Sequence, residues 1–146
     1  MTLVLILLGA LPFVFGGVQN WYMTTHMDSL LPYTLIAFAV LLIWGLLAFF
    51  FNHDGTRTKR IVVFLNLIAA VDLFLIGVQE LILHAFWMNL IGAWSQFFYL
   101  PVLRLGFSLT SWSPRMFPAY AASFLLMAGA SILGCKLRKK WRCKRG

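Results

Sequence analysis

Five polar side chains that could do chemistry lie within one apolar stretch, residues 61–84. They are two acids, two amides and an imidazole: Asn66, Asp72, Gln79, Glu80 and His84. On a helix that turns about 100° per residue, all five fall within an arc of roughly 140°. The opposite side is apolar: Leu67, Phe74, Val78, Leu81 and Ile82. Since a charged group at mid-bilayer costs on the order of 3 kcal/mol or more, the polar arc is predicted to face other helices, a cavity or a partner.

Asp72 is the costliest of these residues because it lies in the middle of the stretch. As a functional group it would be a proton or cation site, or the counter-ion of Arg104 or Arg115. As a structural group it would be a protonated carboxyl, hydrogen-bonded to a neighbouring helix. The sequence leaves both interpretations open.

Glu80 and His84 are spaced i and i+4, so their side chains can touch on one helix face. They are weak candidates for metal ligands, because a zinc site needs three or four ligands and only Asp72, His26 and Asp28 could add to them. An ion pair or hydrogen bond near the membrane interface explains the pair equally. A haem would need an axial histidine, for which His84 is the one candidate inside an apolar segment. No cofactor is predicted.

Nucleophilic catalysis has little support in the sequence. No serine or cysteine stands in a turn motif with a nearby basic partner. Cys135 is expected to be an inert packing residue, or at most a palmitoylation site beside the membrane. The sequence therefore leans away from an enzyme.

The elements that must position these residues are membrane helices. The chain has 146 residues, of which 62% are hydrophobic and 11% charged, whereas a soluble domain has about 25% charged residues. Four apolar runs approach or exceed the length that spans a bilayer. We therefore predict an all-α integral membrane protein, a four-helix transmembrane bundle with helices at about 2–17, 32–51, 61–84 and 117–135. Pro12 is expected to kink or end the first half of the first helix.

Residues 85–116 are predicted to form an extra amphipathic or re-entrant segment on the outer side. The segment is rich in aromatic residues, which suit the membrane–water interface. It is expected to be broken at Pro101. A fifth crossing there would place the basic C-terminus outside, against the positive-inside bias.

The net charge of +8 is concentrated at helix ends, which excludes nucleic-acid binding as its explanation. Arg57, Lys59 and Arg60 share one short loop. Residues 136–146 form a basic tail that carries seven cations: Lys136, Arg138, Lys139, Lys140, Arg142, Lys144 and Arg145. The pattern predicts a multi-pass protein of the cell membrane with both termini in the cytoplasm. The tail is expected to bind anionic lipid headgroups or an acidic partner.

The last helix carries two pairs of small residues four apart, Ala119 with Ser123 and Ala130 with Gly134. Such pairs allow helices to approach closely. They are expected to serve packing inside the bundle or, alternatively, binding to other membrane helices or a second copy of the chain.

Three functions follow from these features. The first is a non-enzymatic membrane subunit or interaction protein. The second is a small oligomeric transporter or channel in which Asp72 and Glu80 handle a proton or cation. The third is a membrane enzyme that acts on a lipid or quinone through Glu80 and His84.

Overall fold

The computed structural model describes residues 2–26, 31–52, 58–85 and 90–143. All regular structure in these ranges is helical: α1 (Thr2–Gly9), α2 (Leu11–Thr25), α3 (Tyr33–Phe51), α4 (Thr58–Leu65), α5 (Leu67–Gly77), a π-helical turn (Val78–Ile82), α6 (Leu90–Leu109) and α7 (Phe117–Cys143). Asp28, Arg57, Lys144 and Arg145 lie outside the described residues.

The first apolar run is divided between α1 and α2. Pro12 lies in the first turn of α2, where its missing N–H leaves no helical hydrogen bond unmade. The predicted interruption near Pro12 is confirmed. The second half continues to Thr25, beyond the predicted end at residue 17, so Trp21 and Tyr22 belong to a helix and not to a loop.

Three stretches of the described chain are long and apolar enough to cross a membrane: Thr2–Thr25, Tyr33–Phe51 and Phe117–Cys143. A fourth is Thr58–Leu65 together with Leu67–Ile82, if this pair is one span. The two parts meet at 45°, whereas the sequence predicts one unbroken helix over 61–84. We refer to this pair as the broken span. The predicted all-α membrane bundle is confirmed.

The segment after the broken span contains a 20-residue helix, α6, with Pro101 inside it. The predicted break at Pro101 is therefore wrong. α6 packs against α2, α3, α5 and α7. Along α2, the ring of Phe13 lies 5.6 Å from that of Trp94, and at the other end of α6 Arg104 lines the same surface cavity as Tyr33. α6 thus runs along its neighbours and not across their ends.

α2 packs closely on α6 at the carbonyl group that Pro101 leaves without a helical partner. Proline has no N–H, so the carbonyl oxygen of Phe97, four residues earlier, loses its helical partner. Gly16 of α2 packs directly on this carbonyl, and a Cβ at that position would collide with it. The close approach of the two helices therefore depends on glycine at position 16.

α7 continues to Cys143, past the predicted end at residue 135, so the first part of the basic tail is helical. Both pairs of small residues on α7 are used inside the bundle. Ala119 and Ser123 pack on Gly106 of α6, while Ala130 and Gly134 pack on Gly45 of α3. Of the two predicted roles for these pairs, the structure supports packing within the bundle.

The two ends of the bundle differ in charge. At one end Asn52 donates hydrogen bonds to the Thr58 hydroxyl (3.3 Å) and the Cys135 carbonyl (3.2 Å). We call this the basic end, because it also carries Lys59, Arg60 and the last turns of α7. α2 ends at the opposite end, and α3 and α7 begin there; we call it the far end.

Candidate functional site

The polar arc of the broken span faces the protein. Asn66 and Asp72 are each 5% exposed, and Gln79 is fully buried. On the opposite side, Phe74 is 70% exposed and Ile82 is 69% exposed. The predicted orientation is therefore confirmed for these residues. It fails for His84, which is exposed because the helix ends at Ile82, two residues before it.

Asn66 stands at the break between α4 and α5 and joins three elements. Its amide oxygen accepts a hydrogen bond from the indole nitrogen of Trp44 (3.0 Å). Its amide nitrogen donates to the Val62 carbonyl (2.8 Å) and to the Ser131 hydroxyl (2.9 Å). Both donors and the acceptor are thus engaged, so Asn66 is a structural residue that fixes the break.

Asp72 lies inside the bundle, next to α6 and α7. Its carboxyl lies close to the phenols of Tyr99 and Tyr120. Its Oδ2 atom is buried and has no hydrogen-bond partner among the described residues. Arg104 and Arg115 are exposed, and neither forms an ion pair with Asp72. The structure therefore contradicts the counter-ion interpretation, and it provides no hydrogen bond to a neighbouring helix at this oxygen.

The two tyrosines next to Asp72 form one aromatic contact. Their rings are 5.8 Å apart and inclined at 70°. The Tyr99 hydroxyl donates a hydrogen bond to the Ala69 carbonyl, which fixes the ring against α5. Sequence reasoning placed Tyr99 among the interfacial aromatics and overlooked Tyr120. The available signal was that Tyr120 follows Ala119 and precedes Ser123, on the small-residue face of α7.

Glu80 lies in the π-helical turn and links it to the start of α7. Its Oε1 accepts a hydrogen bond from the backbone N–H of Met116 (2.9 Å), while its Oε2 is buried without a partner among the described residues. Glu80 also acts electrostatically on Tyr120, as Asp72 does. Tyr120 is therefore close to both carboxyls, and Glu80 lies nearer the far end, where α7 begins.

Glu80 and His84 do not form the predicted side-chain pair. His84 has a φ of 51°, outside the helix, and its ring nitrogen lies 3.1 Å from the backbone carbonyl oxygen of Glu80. In the part of the chain that the structure describes, no three His, Cys, Asp or Glu side chains are grouped so as to hold a metal ion. Among the described residues, Glu80 and His84 therefore do not belong to a group of side chains that could hold a metal ion.

Gln79 connects the π-helical turn to α6. Its amide nitrogen donates to the Ser95 hydroxyl (3.4 Å), which in turn donates to the Gly92 carbonyl (2.9 Å). All three residues are buried. This chain of hydrogen bonds holds α6 against the far half of the broken span.

The remaining candidates lie elsewhere. His26 is exposed at the end of α2, where its ring stacks on Tyr22 with centroids 4.6 Å apart. Cys135 is buried, and its sulfur points at the Ala48 carbonyl oxygen (3.6 Å), as expected of a packing residue. Neither residue is part of the cluster around Asp72.

The cluster of Asp72, Tyr99, Tyr120 and Glu80 is the candidate functional site. A buried oxygen with no donor costs about 1–3 kcal/mol. A proton on Asp72, or a cation bound to it, would remove the further cost of burying its negative charge. Comparison with protein-family models, curated proteins and solved structures gives no match to this chain.

Proposed function

We propose that this chain is a small membrane transporter that moves a proton through the carboxyl of Asp72. The observation that carries the proposal is the buried, unpartnered Oδ2 of Asp72. Ionisable residues in the interior of membrane bundles commonly mark proton or ion pathways. A proton needs only one oxygen, whereas a hard cation such as Ca²⁺ takes six to eight oxygen ligands. The single open oxygen therefore favours a proton.

The break beside Asp72 supports the same proposal. In many transporters the binding site lies near the membrane midplane, on helices that are interrupted. Asp72 follows the 45° break by six residues, on α5. The broken span thus combines an interrupted helix with a buried acid.

The residues around Asp72 differ between the side that faces the far end and the side that faces the basic end. Toward the far end, Tyr120 is close to both Asp72 and Glu80, and the Oε2 of Glu80 is also without a partner among the described residues. Toward the basic end, the amide of Asn66 is engaged in hydrogen bonds on both of its polar atoms. We infer that proton exchange runs through Glu80 to the far end, while Asn66 closes the route to the basic end in this conformation.

The orientation in the membrane follows from charge. Lys59, Arg60 and the end of α7 lie at the same end, since Asn52 bonds to both Thr58 and Cys135. Basic residues concentrate on the cytoplasmic side. We therefore place the basic end in the cytoplasm of the cell and the far end outside.

The other two functions have less support. The small-residue pairs of α7, which would serve an interaction protein, are occupied by Gly45 and Gly106. A lipid or quinone enzyme would need Glu80 and His84 to act together, and the imidazole lies against a backbone carbonyl.

The test is proton flux into liposomes that contain the purified chain and a pH-sensitive dye, driven by a potassium gradient with valinomycin. The Asp72→Asn variant keeps the size of the side chain and should reduce flux to the level of empty liposomes. Asp54→Asn is the matched control, because it removes a carboxyl from the connection between α3 and α4. It should conduct like the unmodified chain.

Two results would contradict the proposal. One is unchanged flux in Asp72→Asn, and the other is absence of flux above empty liposomes in the unmodified chain. An ion flux that requires Na⁺ while the internal pH stays constant would show that the transported ion is a metal cation and not a proton.

A further inference from the structure

Arg138 is held in an unusual position at the basic end of the bundle. Its guanidinium carbon lies 5.1 Å from the centre of the Phe49 ring and 5.0 Å from that of Trp141. The two rings are themselves 6.4 Å apart. Phe49 belongs to α3 and Trp141 to α7, so the side chain is fixed where these helices end.

The guanidinium of Arg138 has no acceptor among the described residues. Its Nε is covered and has no partner in that part of the chain, and the two described acids, Asp72 and Glu80, lie in the interior and toward the far end. Arginine is well suited to stacking on aromatic rings, which leaves the N–H groups at the edge of the plane available. Because Nε is covered, these are the N–H groups of the two terminal nitrogens. Those donors match the spacing of phosphate or carboxylate oxygens, which they bind through two parallel hydrogen bonds.

The residues around Arg138 favour an anion that lies at the membrane surface. The last turns of α7 carry four exposed cations besides Arg138: Lys136, Lys139, Lys140 and Arg142. Lys59 and Arg60 at the start of α4 are also exposed at this end. Trp141 is 40% exposed, and tryptophan is enriched at the level of lipid headgroups. An anion held here would be part of the membrane interface.

We infer that Arg138 is the centre of a binding site for the phosphate of an anionic phospholipid in the leaflet at the basic end. Phe49 and Trp141 hold the guanidinium plane, and the neighbouring cations attract the negative headgroup. The site is separate from Asp72 and does not depend on proton transport. It differs from the general attraction of a basic tail because one residue, fixed by two rings, receives the phosphate.

The test compares lipid binding by purified full-length variants in detergent, measured by native mass spectrometry with added phosphatidylglycerol or phosphatidylcholine. Arg138→Gln removes the charge and the guanidinium fork. Lys139→Gln is the matched control, since it removes one exposed charge from the adjacent position.

A charge near an anionic surface contributes about a fivefold gain in affinity, so Lys139→Gln should lose about fivefold or less. Arg138→Gln should lose more than about tenfold, because it also loses charge-assisted hydrogen bonds. Phosphatidylcholine binding should not change.

A second variant distinguishes loss of lipid binding from loss of folding. Arg138→Lys keeps the charge over the rings and lacks the planar fork, so it should fold and still bind phosphatidylglycerol at least about threefold more weakly than the unmodified chain. Equal losses in Arg138→Gln and Lys139→Gln would overturn the site in favour of diffuse attraction. Equal binding by Arg138→Lys and the unmodified chain would also overturn it. Displacement of the lipid by millimolar inorganic phosphate would show that free phosphate, and not the lipid, is the ligand.

Discussion

The indole nitrogen of Trp44 donates a hydrogen bond of 3.0 Å to the side-chain oxygen of Asn66, across the contact between α3 and the broken span. Trp44 is almost completely buried, and so is the amide that it contacts. This bond supplies a donor to the buried side-chain oxygen of Asn66, which is the residue where the backbone of the broken span changes direction.

Replacing Trp44 with Phe should destabilise the fold. The substitution removes the donor and leaves the Asn66 oxygen buried without a partner, which costs about 1–3 kcal/mol in addition to the lost ring volume. Unfolding in detergent with increasing SDS, followed by circular dichroism, measures the loss. Trp94→Phe is the control, since Trp94 is 52% exposed, and it should lose less. Equal losses in the two variants would show that the hydrogen bond contributes nothing beyond ring size.

Gly16→Ala should separate α2 from α6. The new Cβ would collide with the carbonyl oxygen of Phe97, which is backbone and cannot move away alone. Overpacking of this kind costs about 1–3 kcal/mol, occasionally more. Gly17→Ala is a matched control in the same helix, because its Cβ would meet nothing within 4 Å. It should stabilise the chain by up to about 1 kcal/mol through helix propensity. The same SDS titration separates the two variants, and a stable Gly16→Ala variant would refute the close approach.

Asp72→Leu should raise the free energy of unfolding and abolish proton flux. The carboxyl oxygen Oδ2 is buried without a donor, so an apolar side chain of similar volume removes a cost of about 1–3 kcal/mol. Stability that rises as activity falls is expected when a residue is kept for function. A fall in the SDS midpoint for Asp72→Leu would instead indicate that the carboxyl makes a stabilising contact.

Glu80→Gln separates the structural from the transport role of Glu80. Glutamine keeps an oxygen that can accept the Met116 N–H bond of 2.9 Å, so unfolding should change by less than about 1 kcal/mol. If Glu80 exchanges protons with the far end, flux should fall at least about tenfold, because general acid–base groups commonly contribute 10²–10⁴-fold. Flux equal to that of the unmodified chain would remove Glu80 from the route while leaving Asp72 in it.

The orientation of the broken span could be predicted from its sequence. Burial of Asn66, Asp72 and Gln79 follows from one helical period and the cost of polar groups in hydrocarbon. The break itself could not, because nothing local to Asn66 reveals that Trp44 and Ser131 will reach its amide. Those contacts join residues that are far apart in the chain.

The candidate site was predictable in part. Asp72 stood out because it is an acid in an apolar run, but Tyr99 and Tyr120 depend on how α6 and α7 pack. The prediction for α6 is wrong because Pro101 normally interrupts a helix, whereas here it lies inside a continuous one that packs on Gly16 of α2. The pairing of Glu80 with His84 failed because spacing presumes a regular helix, and the π-helical turn ends before His84.

The 45° break at Asn66 also has a consequence for the bilayer, if the two parts of the broken span cross it as one. A bent span covers less distance along the membrane normal than a straight helix with the same number of residues. Thicker bilayers favour straightening, at a cost of fractions of a kcal/mol per Å of mismatch. Straightening here would require the Asn66 amide to release Trp44 and Ser131. We therefore expect membrane thickness to act on the surroundings of Asp72 through the hydrogen bonds of the Asn66 amide.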